Sequence, residues 1–402
     1  MLLKTDLELA YNLQNDEIKH KPKNFISREK TDEINFNSSH INIISGIRRC
    51  GKSTLLIQNL RDHFTDAAYF NFEEPRVYNF EFDDFIKLYE VMGENSEAYF
   101  FDEIQVIDNW EIFIRKLHEQ GKKIFITGSN ASMLSSELGT KLTGRYLQNE
   151  LFPFSYNEYL RFTDQKECEA GFLNYLKKGG FPEYIREDNP EILHRLFRDI
   201  IYRDIIVRHG IKNSNVLEDI ALFLMSNIAK ETSLNSLRKI LKIASVTTVS
   251  DFTSWLQDSY MIFFVPRFSY SAKAMMMNPK KVYAVDNGLV NAVTLSKSED
   301  FGRLLENLVF LHFKRMGYEI YYFREKGECD FIIFKNREFC NAFQVTREIT
   351  KENMDREFSG LYEALEHFKK DKGYILTLNQ EDRMKYKNKE IILMPVRKYL
   401  LL

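Results

Sequence analysis

One stretch of the sequence has the residue types and the spacing that bind a nucleotide phosphate. Residues 46–53 match the pattern G-x-x-x-x-G-K-[ST] in full. The apolar residues 41–44 predict a strand before it, and residues 54–64 predict a helix after it. The glycines let backbone N–H groups and the helix N-terminus face phosphate oxygens. The alternative is a chance glycine-rich turn before a helix, and the flanking strand and helix argue against it. We predict that the nucleotide is bound by Gly46, Arg48, Arg49, Cys50, Gly51, Lys52, Ser53 and Thr54, with Lys52 on the β/γ-phosphates and Ser53 on Mg²⁺.

Two adjacent carboxylates follow another predicted strand downstream. The apolar residues 98–101 lead directly into Asp102 and Glu103. Asp102 at a strand end can hold Mg²⁺ through water, and Glu103 can accept a proton from the attacking water. Two acids at a strand tip can also be solvated loop residues, but after a complete phosphate-binding pattern we predict the catalytic roles.

A further predicted strand, residues 124–126, ends in small polar groups. In a parallel sheet it would lie beside the first strands, so Ser129 or Asn130 could reach the γ-phosphate or the attacking water. Either residue could instead cap the following helix. The two roles are compatible, and both stay open.

Composition limits the class of protein. The 402 residues suggest two or three domains, and the aromatic content of 14% excludes wholesale disorder. Lys+Arg 56 against Asp+Glu 58 leaves a net charge of -2, so nucleic-acid binding would need a local basic patch. The four cysteines have no zinc or redox spacing, and no apolar run has the roughly 20 residues that span a bilayer. Because Asp6 and Glu8 interrupt any signal-peptide core, we expect a cytoplasmic protein without a membrane anchor.

The three motifs together resemble those of an additional-strand (AAA+-type) P-loop ATPase. More narrowly, the chain resembles the bacterial and archaeal family that joins such an ATPase to a C-terminal domain of unknown function, DUF4143. The resemblance rests on residues 69–76, 101–111, 126–134, 142–146, 151–160, 179–184, 280–289, 302–313, 328–333 and 356–365. It implies ATP and Mg²⁺ as cofactors.

The resemblance and the order of predicted elements give an α/β fold with four domains. Residues 1–160 are expected to form an AAA+-like P-loop domain with a parallel sheet and an N-terminal helix. Residues 161–210 are expected to form a helical lid or linker. A winged-helix domain is expected over 211–295, and a PD-(D/E)xK nuclease-like α/β domain over 296–402.

Two further residues take roles from the resemblance. In related oligomeric ATPases an arginine near Arg145 enters the neighbouring subunit's nucleotide site, which implies a homo-oligomer, with a hexameric ring favoured. The alternative is a structural ion pair or a helix cap. Residues 179–184 (GGFPEY) resemble an element whose proline, here Pro182, abuts the nucleotide, and the alternative is a plain loop between helices.

The middle of the chain predicts three helices, 216–229, 233–242 and 248–258, and then two strands. This order is typical of a winged helix. Local positive charge comes from Arg238, Lys239, Lys242, Lys273, Lys280 and Lys281. Such residues either contact DNA or form a solvated face of a protein-contact module.

The C-terminal segment places Glu306 on a predicted helix and Asp330 at the start of a strand. A nuclease of the resembled type needs (D/E)-x-K on the next strand, which here reads Gln344-Val345-Thr346. Gln344 is a weak metal ligand, and threonine does not replace the charge of lysine. We therefore expect a degenerate, inactive site formed by Glu306, Asp330 and Gln344, in a domain that serves as a docking surface.

These observations predict a Mg²⁺-dependent, ATP-hydrolysing AAA+ protein that acts as an oligomeric switch or motor on nucleic acid. One alternative is an ATP-gated nuclease. Another is a nucleotide-dependent regulator of a protein partner.

Overall fold

The computed structural model describes residues 1–20, 25–129, 142, 144–294 and 300–402. The chain forms two compact units, Met1–Phe152 and Pro153–Leu402. The four predicted domain ranges stay predictions, because the structure divides the chain once.

Strands and helices alternate in the first unit, as its sequence pattern predicts. Its elements are α1 (Lys4–His20), β1 (Ile41–Ser45), α2 (Lys52–His63), β2 (Ala67–Asn71), α3 (Asp84–Met92), β3 (Ala98–Asp102), α4 (Trp110–Glu119), β4 (Lys123–Gly128) and β5 (Tyr146–Glu150). The sheet order is β2-β3-β4-β1-β5, and all four strand pairs are parallel. The predicted parallel α/β sheet is therefore confirmed.

The strand β5 was missed because Gln148, Asn149 and Glu150 interrupt any apolar run. It lies at the edge of the sheet, beside β1. One side of an edge strand faces no other strand, so a polar sequence is tolerated there.

Aromatic residues on both faces of the sheet fix its central strands. Phe85 stacks on Phe113 with ring centroids 4.4 Å apart, and Phe100 stacks on Phe125 at 4.7 Å. All five residues of β3 are buried, as is typical of a parallel strand covered by helices. The carboxyl ends of β1, β4 and β3 are thereby held side by side.

The second unit begins with helices and a small antiparallel sheet, β6-β8-β7. Its elements are α5 (Tyr156–Thr163), α6 (Glu169–Lys178), α7 (Pro182–Glu187), α8 (Glu191–Asp199) with a π-helical continuation (Ile200–Val207), α9 (Ser214–Ser226), β6 (Glu231–Thr232), α10 (Leu234–Ile240), α11 (Val246–Asp258), β7 (Ile262–Pro266), α12 (Ala272–Met277), β8 (Lys280–Ala284) and α13 (Asn287–Val293). The three helices predicted in the middle of the chain are α9, α10 and α11.

The same unit ends in a six-stranded mixed sheet of order β13-β14-β12-β11-β10-β9. Its elements are α14 (Phe301–Arg315), β9 (Glu319–Arg324), β10 (Glu328–Lys335), β11 (Glu338–Val345), α15 (Met354–His367), β12 (Lys372–Thr377), β13 (Asp382–Tyr386), β14 (Lys389–Pro395) and α16 (Val396–Tyr399). The apolar pattern of α14 and of the strands predicts a core that contains Val309, Phe310, Phe331, Ile333 and Val345, and all five are buried.

The apolar pattern predicts one strand after α15, at residues 391–394, and this prediction was wrong because three strands are present. The strand β13 reads DRMKY and is an edge strand with little buried surface, so no apolar pattern marks it. Among the helices of the described residues, none is long and apolar enough to cross a membrane.

Candidate functional site

The loop between β1 and α2 has a backbone that only glycine allows at two points. A Cβ on Gly46 would lie 2.0 Å from the carbonyl oxygen of Leu151. Gly51 has a φ of 104°, in the left-handed region that disfavours other residues. The helix α2 starts at the next residue, Lys52, so its N-terminal N–H groups point back toward the loop.

A buried arginine that the sequence analysis missed fastens this loop. The Arg28 guanidinium donates one hydrogen bond to the carbonyl oxygen of Cys50 at 2.9 Å and another to that of Phe152 at 2.7 Å. Arg28 is only 5% exposed. No local pattern marks it, because its partners lie 22 and 124 residues away in the chain.

The Lys52 side chain is buried between the loop and the end of β3. Its Nζ lies 3.4 Å from Oε1 of Glu103 and donates to the carbonyl oxygen of Ile47 at 3.3 Å. Burial disfavours the charged amine, but the negative charge of Glu103 outweighs it and raises the pKa of Lys52. Lys52 therefore carries a positive charge at neutral pH.

Asp102, the last residue of β3, is fully buried and hydrogen-bonded by hydroxyl groups. The Tyr69 hydroxyl donates to Oδ2 at 2.8 Å, and the Thr127 hydroxyl donates to Oδ1. A hydrogen bond also links its side chain to Ser53, so the two predicted Mg²⁺ ligands are neighbours. Burial and the adjacent Glu103 raise the pKa of Asp102 despite these donors.

Glu103 sits in a left-handed backbone conformation, with a φ of 53°. Its N–H donates to the Thr127 hydroxyl oxygen at 2.9 Å, and its Oε2 accepts from Nε2 of Gln105 at 2.5 Å. Burial opposes its ionisation, but Lys52 and Gln105 outweigh that effect and lower the pKa of Glu103. Glu103 is thus an ionised carboxylate that can accept a proton.

The remaining predicted nucleotide ligands lie on the same loop or next to it. Arg48 pairs with Glu73 at 2.8 Å, Arg49 has a φ of 63°, and Thr54 lies in the first turn of α2. The Ser129 hydroxyl follows β4 and accepts from Gln105 at 3.3 Å. Asn130 lies outside the described residues.

Arg145 and Pro182 are not brought to this cluster by any described contact. Nη1 of Arg145 pairs with Oε1 of Glu119 at 2.8 Å on the surface of the first unit. Pro182 is the first residue of α7 in the second unit. The N–H of Gly180, two residues earlier, donates to the buried carboxylate of Asp286 at 2.6 Å, which gives the glycines of this motif a packing role. The roles of Arg145 and Pro182 stay predictions.

A second buried group of charged and polar side chains brings together all three residues predicted for a degenerate nuclease site. Glu306 on α14 and Asp330 on β10 both contact the Nζ of Lys281, at 3.0 and 2.7 Å. Burial and Asp330 raise the pKa of Glu306 to about 8. The Gln344 carbonyl oxygen accepts from the Asp330 N–H at 3.2 Å, and its amide donates to Glu357 at 2.6 Å.

The assignment of Lys281 to a basic surface was wrong. Its side chain is 2% exposed, and its charge is directed at carboxyl groups inside the protein. Within the described ranges, no group of three or more His, Cys, Asp or Glu side chains is arranged to hold a metal ion.

The sheet order and the loop between β1 and α2 define an α/β domain of the AAA+ P-loop class. The family model "AAA domain" matches residues 38–160. Two domains of unknown function match later parts of the chain, DUF8612 over residues 169–300 and DUF4143 over residues 301–399.

Two relatives are similar over most of the chain. An uncharacterized protein of Methanocaldococcus jannaschii is 35% identical over 92% of this chain and 88% of its own length. An uncharacterized protein of Haemophilus influenzae is 31% identical over 87% of this chain and 93% of its own length. The chain belongs to the family of proteins that join this AAA domain to a C-terminal DUF4143 domain.

Two solved structures match the chain at low identity and low TM-score. AMPPCP-bound DnaA from Aquifex aeolicus is 14% identical with a TM-score of 0.28, covering 62% of this chain and 88% of that one. The RuvB Holliday junction branch migration motor of Thermotoga maritima is 15% identical with a TM-score of 0.31, covering 65% and 88%.

The Thr127 hydroxyl should contribute to stability, because it hydrogen-bonds both the Asp102 carboxylate and the Glu103 N–H. Thr127→Val keeps the shape of the side chain but leaves an Asp102 oxygen and the Glu103 N–H without this partner. We expect the free energy of unfolding to fall by about 1–3 kcal/mol, the usual cost of an unsatisfied buried group. Urea unfolding followed by circular dichroism measures it. Thr127→Ser keeps the hydroxyl and should stay close to the wild type, so equal losses in both variants would contradict this role.

Proposed function

We propose that this protein binds ATP with Mg²⁺ and hydrolyses it. The observation that carries the proposal is the convergence of Lys52, Ser53, Asp102 and Glu103 where β1 and β3 end. An ammonium, a hydroxyl and two carboxylates are the groups that phosphoryl transfer to water requires. The glycine loop and the N-terminus of α2 supply N–H donors for the phosphates.

Each residue has a distinct role in this proposal. Lys52 binds the β/γ-phosphates, while Ser53 and Asp102 hold Mg²⁺, which neutralises charge on the phosphate oxygens when bound. Phosphate oxygens compete with Glu103 for the Lys52 ammonium, because one 3.4 Å contact joins the two side chains. Glu103 is then available to accept a proton from the attacking water. Ser129 and Asn130 orient that water or the γ-phosphate.

Two substitutions should separate binding from turnover. Lys52→Ala should weaken ATP binding by about 10- to 100-fold, because charge-assisted hydrogen bonds of roughly 1.5–3 kcal/mol are lost. Glu103→Gln should keep binding but slow hydrolysis by about 10²- to 10⁴-fold, since an amide does not accept the proton. Fluorescent-nucleotide titration and phosphate release measure the two effects. The control is Glu97→Gln just before the opposite end of β3, and unchanged turnover in Glu103→Gln would show that another residue is the base.

We propose that the ATPase is a switch or motor on nucleic acid. The support is the order of α9, α10, α11 and the β6-β8-β7 sheet, which fits a winged helix, together with local basic side chains. Lys239, Lys242 and Lys273 are exposed on or beside α10 and α12. Because Lys281 is buried, the basic surface is smaller than the sequence indicates.

The C-terminal domain, nuclease-like in its order of helix and strands, is proposed to be a docking surface.

Substitution of the exposed lysines should distinguish a nucleic-acid partner from a protein partner. If the proposal holds, DNA should stimulate ATP hydrolysis, and Lys239→Ala/Lys242→Ala should weaken that stimulation. The same double variant should also reduce the slope of log binding constant against log salt concentration by the equivalent of about two phosphate contacts. The control is Lys326→Ala/Lys351→Ala, which removes two exposed lysines from the C-terminal segment. Turnover that DNA leaves unchanged would favour a regulator of a protein partner.

We also propose that the protein assembles as a homo-oligomer, most simply a hexameric ring, with Arg145 acting between subunits. Arg145 precedes β5 at the edge of the sheet where β1 begins, because Ile41 pairs with Tyr146. The phosphate loop follows the other end of β1. Arg145 therefore lies at the edge of the sheet opposite the phosphate loop, away from its own subunit's nucleotide. Its side chain is 39% exposed, so a neighbouring subunit can contact it.

Mixing variants tests this arrangement. Arg145→Ala and Lys52→Ala should each lose turnover, and a mixture should recover part of it because some sites combine an intact Lys52 with a neighbour's Arg145. An arginine supplied in this way contributes about 10³- to 10⁵-fold to turnover. A mixture of Lys52→Ala with Glu103→Gln is the control, since both defects fall in the same subunit's site. A monomer with full activity, identified by mass in ATP, would refute the proposal.

A further inference from the structure

Lys281 is the centre of a buried cluster that no described role explains. Its Nζ lies 2.7 Å from Oδ1 of Asp330, 2.8 Å from Oε1 of Glu328 and 3.0 Å from Oε1 of Glu306. The Tyr283 hydroxyl donates to the same Glu306 oxygen at 2.6 Å. We call these five residues the Lys281 cluster.

The ammonium of Lys281 is saturated. A lysine has three N–H donors, and three carboxyl oxygens from separate side chains lie within hydrogen-bond distance. Oxygens of Asp and Glu are also the ligands that hard divalent cations prefer. The lysine nitrogen fills the space between the carboxyl groups of Glu306 and Asp330.

Other oxygen atoms in and beside the cluster already accept hydrogen bonds and are therefore not free to bind a second cation. The second oxygen of Asp330 accepts from the Val345 N–H at 2.9 Å. The Gln344 carbonyl oxygen is taken by the Asp330 N–H. Arg324 adds positive charge beside Glu328, 3.7 Å from its Oε2. A divalent ion placed here would face the ammonium at short range, and the two positive charges would repel each other.

We propose that Lys281 is the permanent cation of this cluster, and that it occupies a divalent-metal position and keeps metal out. The Lys281 ammonium, in the place of a metal ion, also has a structural effect. The strand β8 carries the ammonium, whereas α14 and β10 carry the carboxyl groups, so the cluster joins the small sheet to the C-terminal sheet. Removing one partner of such a buried pair leaves uncompensated charge. The proposal does not depend on ATP hydrolysis.

Removal of the ammonium should expose the metal position. We would titrate the nucleotide-free full chain with Mn²⁺ by calorimetry, comparing the wild type, Lys281→Met and Lys281→Met/Asp330→Asn. Lys281→Met should gain one Mn²⁺ site that is about 10-fold or more tighter than any wild-type uptake, because the competing charge is gone. The double variant should lose that site. Lys280→Met, the neighbouring lysine on β8, is the control and should match the wild type.

Three outcomes would overturn the proposal. The first is wild-type Mn²⁺ uptake that Asp330→Asn abolishes, and the second is a folded Lys281→Met without a new site. The third is Mg²⁺- or Mn²⁺-dependent cleavage of DNA or RNA that Asp330→Ala abolishes. If Lys281→Met does not fold, refolding in increasing Mn²⁺ replaces the titration: recovery of the native circular dichroism supports the proposal, and no recovery refutes it.

Discussion

The proposed nucleotide site depends on two neighbouring carboxylates that the fold keeps out of water. A buried charge costs several kcal/mol unless it is paired and hydrogen-bonded. The first unit meets this cost with groups from two strands and one helix: Tyr69 on β2, Thr127 on β4 and Ser53 on α2 serve Asp102, and Lys52 on α2 serves Glu103. This requires β4 to lie between β1 and β3, so that the hydroxyl at its end reaches both acids.

The same physical rule produces a different result in the second unit. Lys52 meets Glu103 through one contact of 3.4 Å, which leaves donors on its ammonium for other anions. Lys281 makes three contacts of 2.7–3.0 Å and has none left. The first lysine can therefore exchange its anionic partner, whereas the second is a fixed part of the architecture.

The sequence was most informative where function and local geometry coincide. The phosphate loop needs its glycines and lysine at a fixed spacing, so residues 46–53 and the strands β1 and β3 could be predicted from pattern alone. The supporting groups could not. Arg28, Tyr69 and Thr127 act through sheet order, which places residues far apart in the chain next to each other.

For Lys281 the local sequence pattern gave no sign of its buried partners and indicated an exposed position instead. It follows another lysine, Lys280, and thus looks like part of a solvated basic face. Pairing of β8 with β7 and its packing beside α14 direct the side chain inward instead. The partners that decide its role, Glu306 and Asp330, lie 25 and 49 residues further on.

The position of this lysine also bears on what counts as a domain in the family. The DUF8612 match ends at residue 300 and the DUF4143 match begins at residue 301, yet the ammonium lies on one side of this boundary and all its carboxyl partners lie on the other. A C-terminal segment excised at residue 301 would keep the acids and lose their counter-charge. The boundary between the two family matches therefore passes through a single buried group of charges in this chain.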